Sequence, residues 1–244
     1  MKVCILFIFS DTTDYNIMLK IQQKYVHKFN NVDSYFIKMD NTQTDNDVLI
    51  TDDIISIKGE ETLFNILYKT VKSFELLFSN DYDFFVRSNI STIIDINQLV
   101  CSLENLPKTN YYGGANSMKL HWYGSGIIND IHFGKIFTTG IGIILSNDVV
   151  ENIIINKNKL DYSIVDDVSI SIYLHENIPE CINNCIKYNH FISNHYTNIL
   201  DLNADADADI FNKNIIFFRN KTIDDRNTDI LLMDHIINVI YNLT

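Results

Sequence analysis

"KVCILFIFSDTTD", Lys2 to Asp14, decides how the chain is read. Its apolar residues run on without alternating, the pattern of a strand buried on both faces of a parallel sheet. Ser10, Asp11, Thr12, Thr13 and Asp14 then break the run with turn and cap chemistry. The run is too short to span a membrane and no small-residue cleavage site follows it, so it reads as a first strand and not a leader.

Working outward, "YNIMLKIQQKYVHKF" repeats Ile17, Ile21, Tyr25 and Phe29 at helical spacing. "DSYFIKM" is a second strand and "IISIKG" a third. After Gly59, "EETLFNILYKTVKSFELLF" predicts an amphipathic helix with acids in its first turn. "DYDFFVRSN" is the next strand. This is a β-α-β, doubly wound start, whose ligands belong at the carboxyl ends of the strands. Further on come a short helix in "DINQLVCSLENL", a strand running into glycines in "NYYGGANS", and a strand in "TTGIGIILS" with a helix starting at Ser146 or Asn147. "SIVDDVSISIYLHENI" predicts a helix entered through two acids, "NHFIS" and "NIIFFRNKT" read as strands, and "DILLMDHIINVIYNL" as a closing helix. The fold class is therefore α/β, one domain with a central, mostly parallel sheet flanked by helices.

The 244 residues are 46% hydrophobic and 20% charged with two prolines, enough for one sizeable core and without a linker composition. A net charge of −12 argues against nucleic acid as a partner. Four cysteines, Cys4, Cys101, Cys181 and Cys185, make no disulfide framework and fit reduced thiols in a soluble, cytoplasmic protein.

In order, the β-α-β opening, "DYDFFVRSN", "FTTGIGIILSNDVV", "DDVSISIYLHENI" and "FFRNKTIDDR" resemble glycosyltransferases of the GT-A fold. The nearest are the fringe and β1,3-galactosyltransferase type and the short soluble versions found in large DNA viruses. The resemblance implies a Rossmann-like domain over residues 1–244. Residues 1–100 would form its nucleotide-sugar half and 101–244 its acceptor and catalytic half. It implies a nucleotide-diphosphate sugar as donor, UDP ahead of GDP or dTDP, a glycan or glycoprotein as acceptor, and inversion at the transferred carbon.

Inverting transfer needs a base to take the acceptor's hydroxyl proton, and a carboxylate oriented by a neighbour suits that task. In the family an acid pair follows the Gly-rich segment at about this distance, which falls here on Asp166 and Asp167. Asp167 is assigned as base and Asp166 as its orienter or acceptor contact, the roles being exchangeable. An acidic helix start favoured by the macrodipole accounts for the same pair.

The family carries metal-binding acids at the end of a strand of the form YDFxxxxDDD. Matching Asp83 and Phe84 to that strand puts the acids at Asn89, Ile90 and Ser91, where there are none. Mg2+ and Mn2+ prefer oxygen ligands including a carboxylate, and Asn89 and Ser91 supply neutral oxygens. Two readings stay open: a weakly held metal with Asp95 or another acid reaching in, or a diphosphate met by Arg87 and the later cations, since guanidinium bridges phosphate oxygens bidentately. The expectation leans to the second. Asp81-Tyr82-Asp83 stands too early on the strand, each residue advancing ~3.3 Å, and reads as a strand entry. Asp83 is nonetheless placed on the donor side with Arg87, Ser88 and Asn89.

Arg219, Lys221 and Arg226 are assigned to the leaving diphosphate, whose charge grows in the transition state. Phe9, Ser10, Asp11 and Thr12 fall where the family holds the nucleoside base. Gly140 and Gly142 are too few for a dinucleotide fingerprint. With Gly114 and Trp122 they are assigned to the acceptor side, through close backbone approach and aromatic stacking on a sugar face. A tight turn and core packing explain these four as well.

Other patterns are set aside. Cys181, Cys185, His190 and His195 are spaced almost like a zinc knuckle, with the second thiolate one residue late. Asp205, Asp207 and Asp209 read as a solvated loop. A phosphohydrolase using Asp11 would need an acid where Thr13 stands. The rival from another class is a catalytically silent relative that binds nucleotide or glycan without transfer.

Overall fold

The computed structural model describes residues 1–44, 47–79, 81–183, 191–194, 215–221 and 226–242. The first strand, β1 (Val3–Ile8), is buried along its whole length. Val3, Ile5 and Phe7 enter one apolar cluster and Cys4, Leu6 and Ile8 another, which is the two-faced burial that an unbroken apolar run predicts.

Thr12 caps α1 (Thr13–Gln23), its Oγ1 accepting from Tyr15 N–H at 3.4 Å. The helix is shorter than the Ile17 to Phe29 spacing predicts. Tyr25 leaves helical geometry, a 3₁₀ turn follows at Val26–Lys28, and the buried stripe is Met18, Leu19, Ile21 and Gln22 while Ile17 faces solvent. β2 (Val32–Asp40) follows, then β3 (Val48–Thr51) and β4 (Ile54–Lys58). β3 was not expected. It is a short, mostly exposed edge strand, turned back on β4 at Asp52, whose φ is 54°, so no alternation marks it in sequence.

α2 (Asn65–Leu77) begins after Glu60 and Glu61, so the predicted acidic first turn is absent. β5 (Phe84–Asn89), β6 (Ile93–Ile94) and α3 (Ile96–Leu103) come next. Then follow β7 (Tyr112–Gly114), β8 (Ser117–Lys119), β9 (Ile136–Thr138), β10 (Gly142–Ser146) and α4 (Asn147–Ile155), with Ser146 at the expected cap position. The remaining described elements are α5 (Asp166–Asn177), α6 (Pro179–Asn183), β11 (Phe191–Asn194), β12 (Phe217–Asn220) and α7 (Arg226–Tyr241).

The central sheet has seven strands in the order β3-β4-β2-β1-β5-β10-β7. β4, β2, β1 and β5 pair in parallel, while β10 runs antiparallel to β5 and β7. Helices α1, α3 and α7 cover one face, and α2, α4 and α5 the other. The protein is thus α/β with a mostly parallel sheet between helical layers. Ile8 lies beside Asn89, and Ser88 beside Gly142, so the carboxyl ends of β1 and β5 meet the start of β10.

One buried amide shapes that edge. Gln22 Nε2 donates to the carbonyls of Ile90 at 2.9 Å and Thr92 at 2.7 Å, and Gln22 Oε1 accepts from Tyr25 O–H at 2.5 Å. These bonds fix the loop after β5 to α1, and an unmet buried group there would cost ~1–3 kcal/mol.

Candidate active site

Asp166 and Asp167 open α5 at the carboxyl edge of the sheet. Asp166 is buried, which an aspartate tolerates only when paired. Its partner is Arg87 on β5: Nε lies 2.8 Å from Asp166 Oδ2, off the in-line direction of a good hydrogen bond, and both side chains are almost fully buried. Thr70 O–H on α2 adds a 3.3 Å bond to the same oxygen. Arg87 Nη1 donates to Asn89 Oδ1 at 2.9 Å and to the Gly140 carbonyl.

Asp167 accepts from Gly140 N–H at 2.9 Å through Oδ2 and from Val168 N–H at 2.9 Å through Oδ1. Burial, then the charge of Asp166, push its carboxyl up to about 6, against the opposing pull of Arg87 and the two amides. A carboxylate so tuned binds a proton near neutrality, as a general base must.

Lys69 on α2, only 1% exposed, was not singled out by sequence reasoning. Its Nζ donates to the Phe9 carbonyl at 2.7 Å and to Glu61 Oε1 at 2.6 Å, while Glu61 Oε2 accepts from Met39 N–H at 3.2 Å. Burial lowers its pKa, Glu61 opposes that, and Arg87 lowers it further. Lys69 shares a helix face with Ser73, four residues on, and that polar pair reads in the sequence as a solvent-facing one. Glu61 lines a cavity of about 630 Å³ with Ser10, Asp11, Thr12, Lys38, Asp40 and Gly59, at the carboxyl ends of β1, β2 and β4. Lys69 therefore ties this cavity to the end of β1, the strand that pairs with the one carrying Arg87.

The structure brings Asp166, Asp167, Arg87, Asn89 and Gly140 together, with Ser10, Asp11 and Thr12 along the adjoining cavity. Phe9 contributes its carbonyl, since its side chain is core. Asp11 is held by Lys38 Nζ at 2.5 Å and Asn16 Nδ2 at 2.8 Å. Ser88 is buried and its hydroxyl donates to the Ile141 carbonyl at 2.5 Å. Asp83 is apart from the rest, at the amino end of β5, bonded by Lys2 N–H and Lys108 Nζ at 2.8 Å each. The strand-entry reading describes its surroundings.

The glycines make close approaches to protein atoms. A Cβ on Gly140 would lie 2.7 Å from Arg87 Nη1. One on Gly142 would strike the Phe217 ring, and one on Gly114 the Gly142 carbonyl. Trp122 is half-buried in a third cluster, edge-on to Phe137 at 5.4 Å.

On β12 and α7, Arg226 Nη1 donates to Asp229 Oδ2 at 2.8 Å and Nη2 donates to the Tyr15 hydroxyl oxygen at 3.2 Å. Arg219 is close enough to Arg226 and Arg87 that burial first, and then their charges, lower its pKa. Lys221 is exposed at the end of this segment.

The oxygens expected to meet Mg2+ or Mn2+ do not fit that role. Asn89 Oδ1 is engaged by Arg87, Ser91 is buried, and Asp95 Oδ1 caps α3 by accepting from Gln98 N–H at 3.0 Å. Among the described residues no group of three or more His, Cys, Asp or Glu is arranged to hold a metal ion. Of the zinc-like set, Cys181 is buried and unoxidised in α6, while Cys185, His190 and His195, like Asp205, Asp207 and Asp209, lie outside the described residues. Among the described residues no helix is long and apolar enough to cross a membrane.

No protein-family model matches the sequence, and no curated protein matches it. Among solved structures the chain is similar to mouse xyloside xylosyltransferase 1 in its apo form, over 90% of this chain and 97% of that one. The TM-score is 0.46 and the identity 8%, a likeness too slight to bear on chemistry.

Proposed function

We propose that the chain transfers a sugar from a nucleotide-diphosphate donor, with UDP as the nucleotide, to a hydroxyl of a glycan or glycoprotein acceptor, inverting the transferred carbon. The observation that supports this reading is Asp167, a carboxylate lifted to about 6 by burial and by Asp166, at the carboxyl edge of an α/β sheet. Asp167 takes the acceptor's proton as its oxygen bonds to the anomeric carbon. The bond from that carbon to the diphosphate breaks, and its electrons leave with the phosphate. Asp166, locked by Arg87 and Thr70, is a positioning residue that keeps Asp167 basic.

In this reading the 630 Å³ cavity takes the nucleoside, with Ser10, Asp11, Thr12 and Glu61 as hydrogen-bonding groups. The acceptor approaches over the loop that docks on α5, where the Ser125 carbonyl accepts from Val165 N–H at 3.2 Å. Tyr123, Ile128 and Ile131 on this loop and just beyond it are 63%, 88% and 73% exposed, an apolar surface for a sugar to meet. Trp122 supports that loop from beneath.

Purified protein incubated with a panel of sugar nucleotides is expected to release nucleoside diphosphate, faster with a suitable acceptor. D167N should lose transfer and keep donor binding. A wild-type protein inert with every donor and acceptor would leave the silent relative as the better account.

A further inference from the structure

We infer that the diphosphate of the bound nucleotide is held by the guanidinium groups of Arg219 and Arg226, with no divalent cation. This rests on the nucleotide-binding reading above and departs from what the resemblance implies about metal.

The argument begins with oxygens. Around the end of β5, each carboxylate that would draw in a cation already has an internal donor. Asp166 has Arg87 and Thr70, Asp167 has two amides, and Asp95 has its helix. Asn89 points its oxygen at Arg87, so a buried positive charge stands beside the position a cation would take. A divalent ion placed there meets repulsion and no free carboxylate.

The cations tell the complementary story. Arg87 is answered by Asp166, and Arg226 by Asp229. Arg219 forms no ion pair among the described residues, and its buried Nε has no hydrogen-bond partner there. Asp229 attracts Arg219 without pairing with it and is already bonded to Arg226, so a phosphate supplies the direct counter-charge, with oxygens spaced for a guanidinium fork. Arg226 is held beside Arg219, its guanidinium over the Tyr15 ring at 5.6 Å and bonded once at each of Nη1 and Nη2, so each of these nitrogens keeps a second N–H for an anion. It starts the 16-residue helix α7, and Tyr15 sits in the first turn of α1, so two helix amino termini add positive potential. Arg219 reaches this place because Phe217, two residues earlier, is seated against Gly142.

The test is calorimetric titration of the whole chain with UDP and, separately, with inorganic pyrophosphate, each in EDTA and in excess Mn2+. Affinity is expected to agree within about twofold between the two buffers, and R219M to lose roughly 10- to 100-fold for both ligands, the value of one charge-assisted contact. R219K should fall between, since it keeps the charge and loses the fork. Circular dichroism checks that each variant folds. Should R219M not fold, R219K and the salt dependence of wild-type binding in EDTA carry the same decision. Binding that requires Mn2+, or folded Arg219 variants that bind as wild type does, would overturn the proposal. Metal-independent pyrophosphate binding with no turnover of any sugar nucleotide would support the anion site and sink the transferase reading. Turnover that depends on Mn2+ would do the reverse.

Discussion

At the amino end of β5, Asp83 is met by Lys108, by the Lys2 amide, and by the chain's amino group at 3.9 Å. At the carboxyl end of the same strand, Arg87 and Asp166 face each other with almost no water and a second acid, Asp167, is forced alongside. Burial would raise Asp83, yet its cationic neighbours hold it below the usual carboxylate range; burial and Asp166 carry Asp167 the other way. Stability therefore responds to pH with opposite signs at the two ends. Asp83 stabilises the fold above its unfolded pKa of 3.8, and that contribution is lost as pH falls through its lower folded value. Asp167 is least costly below pH 3.8, and its cost grows as pH rises from there to about 6 and then holds level. Asp83 is neutralised where it stands, whereas Asp167 is held away from its ordinary state, which is what singles it out as a candidate.

The largest effect should come from breaking the buried pair. R87M leaves Asp166 buried without its cation and is expected to cost ~3–5 kcal/mol, a fall of roughly 10 °C in Tm. A variant that melts like wild type would erase the contrast between the two ends. D167N should lower kcat by ~10²–10⁴, and its Tm relative to wild type should be higher at pH 8 than at pH 4, because the amide carries no charge to bury while the loss of one of the two N–H bonds costs the same at both. In the wild type, kcat/KM should climb with pH and level off above about 6, the value at which Asp167 gives up its proton. A profile flat from pH 5 to 8, as an ordinary aspartate titrating near ~4 would give, would remove Asp167 as base. G140A puts a methyl group 2.7 Å from Arg87 Nη1 and should cost ~1–3 kcal/mol in denaturant unfolding, with a larger effect on kcat than on KM. D83N, at the other end, should cost no more than ~1 kcal/mol and leave kcat unchanged. A loss of activity there would sharpen the comparison into a different one, with both ends of β5 serving the site.

Much of the framework was readable because it depends on burial. The unbroken apolar run of β1, the cap at Ser146 and the two acids opening α5 are local patterns, and each became the element it predicts. β3 was invisible because a four-residue exposed edge strand has no periodicity to display. The candidate site was legible in part. Asp166 and Asp167 were singled out by their distance from the Gly-rich segment, as the resemblance implies, whereas the partner of Arg87 was not, since the two lie far apart in sequence and only the fold joins them. Lys69 and Gln22 escaped for the same reason: a polar residue within an amphipathic helix reads as a surface residue until the fold shows what lies opposite it. Gly140 and Gly142 stood out as glycines, but that Arg87 and Phe217 crowd them could not be read before the fold joined these segments.

The seat of Phe217 against Gly142 also has a consequence for how the molecule matures. All seven strands of the central sheet have been translated by Ser146, and Phe217 follows some seventy residues later. At ~5–20 residues per second, the nascent sheet waits several seconds with that notch uncovered and Arg219 not yet delivered. Asp166 and Asp167 emerge some fifty residues ahead of Arg219, so on the proposed reading the growing chain has its base well before it has its phosphate contact.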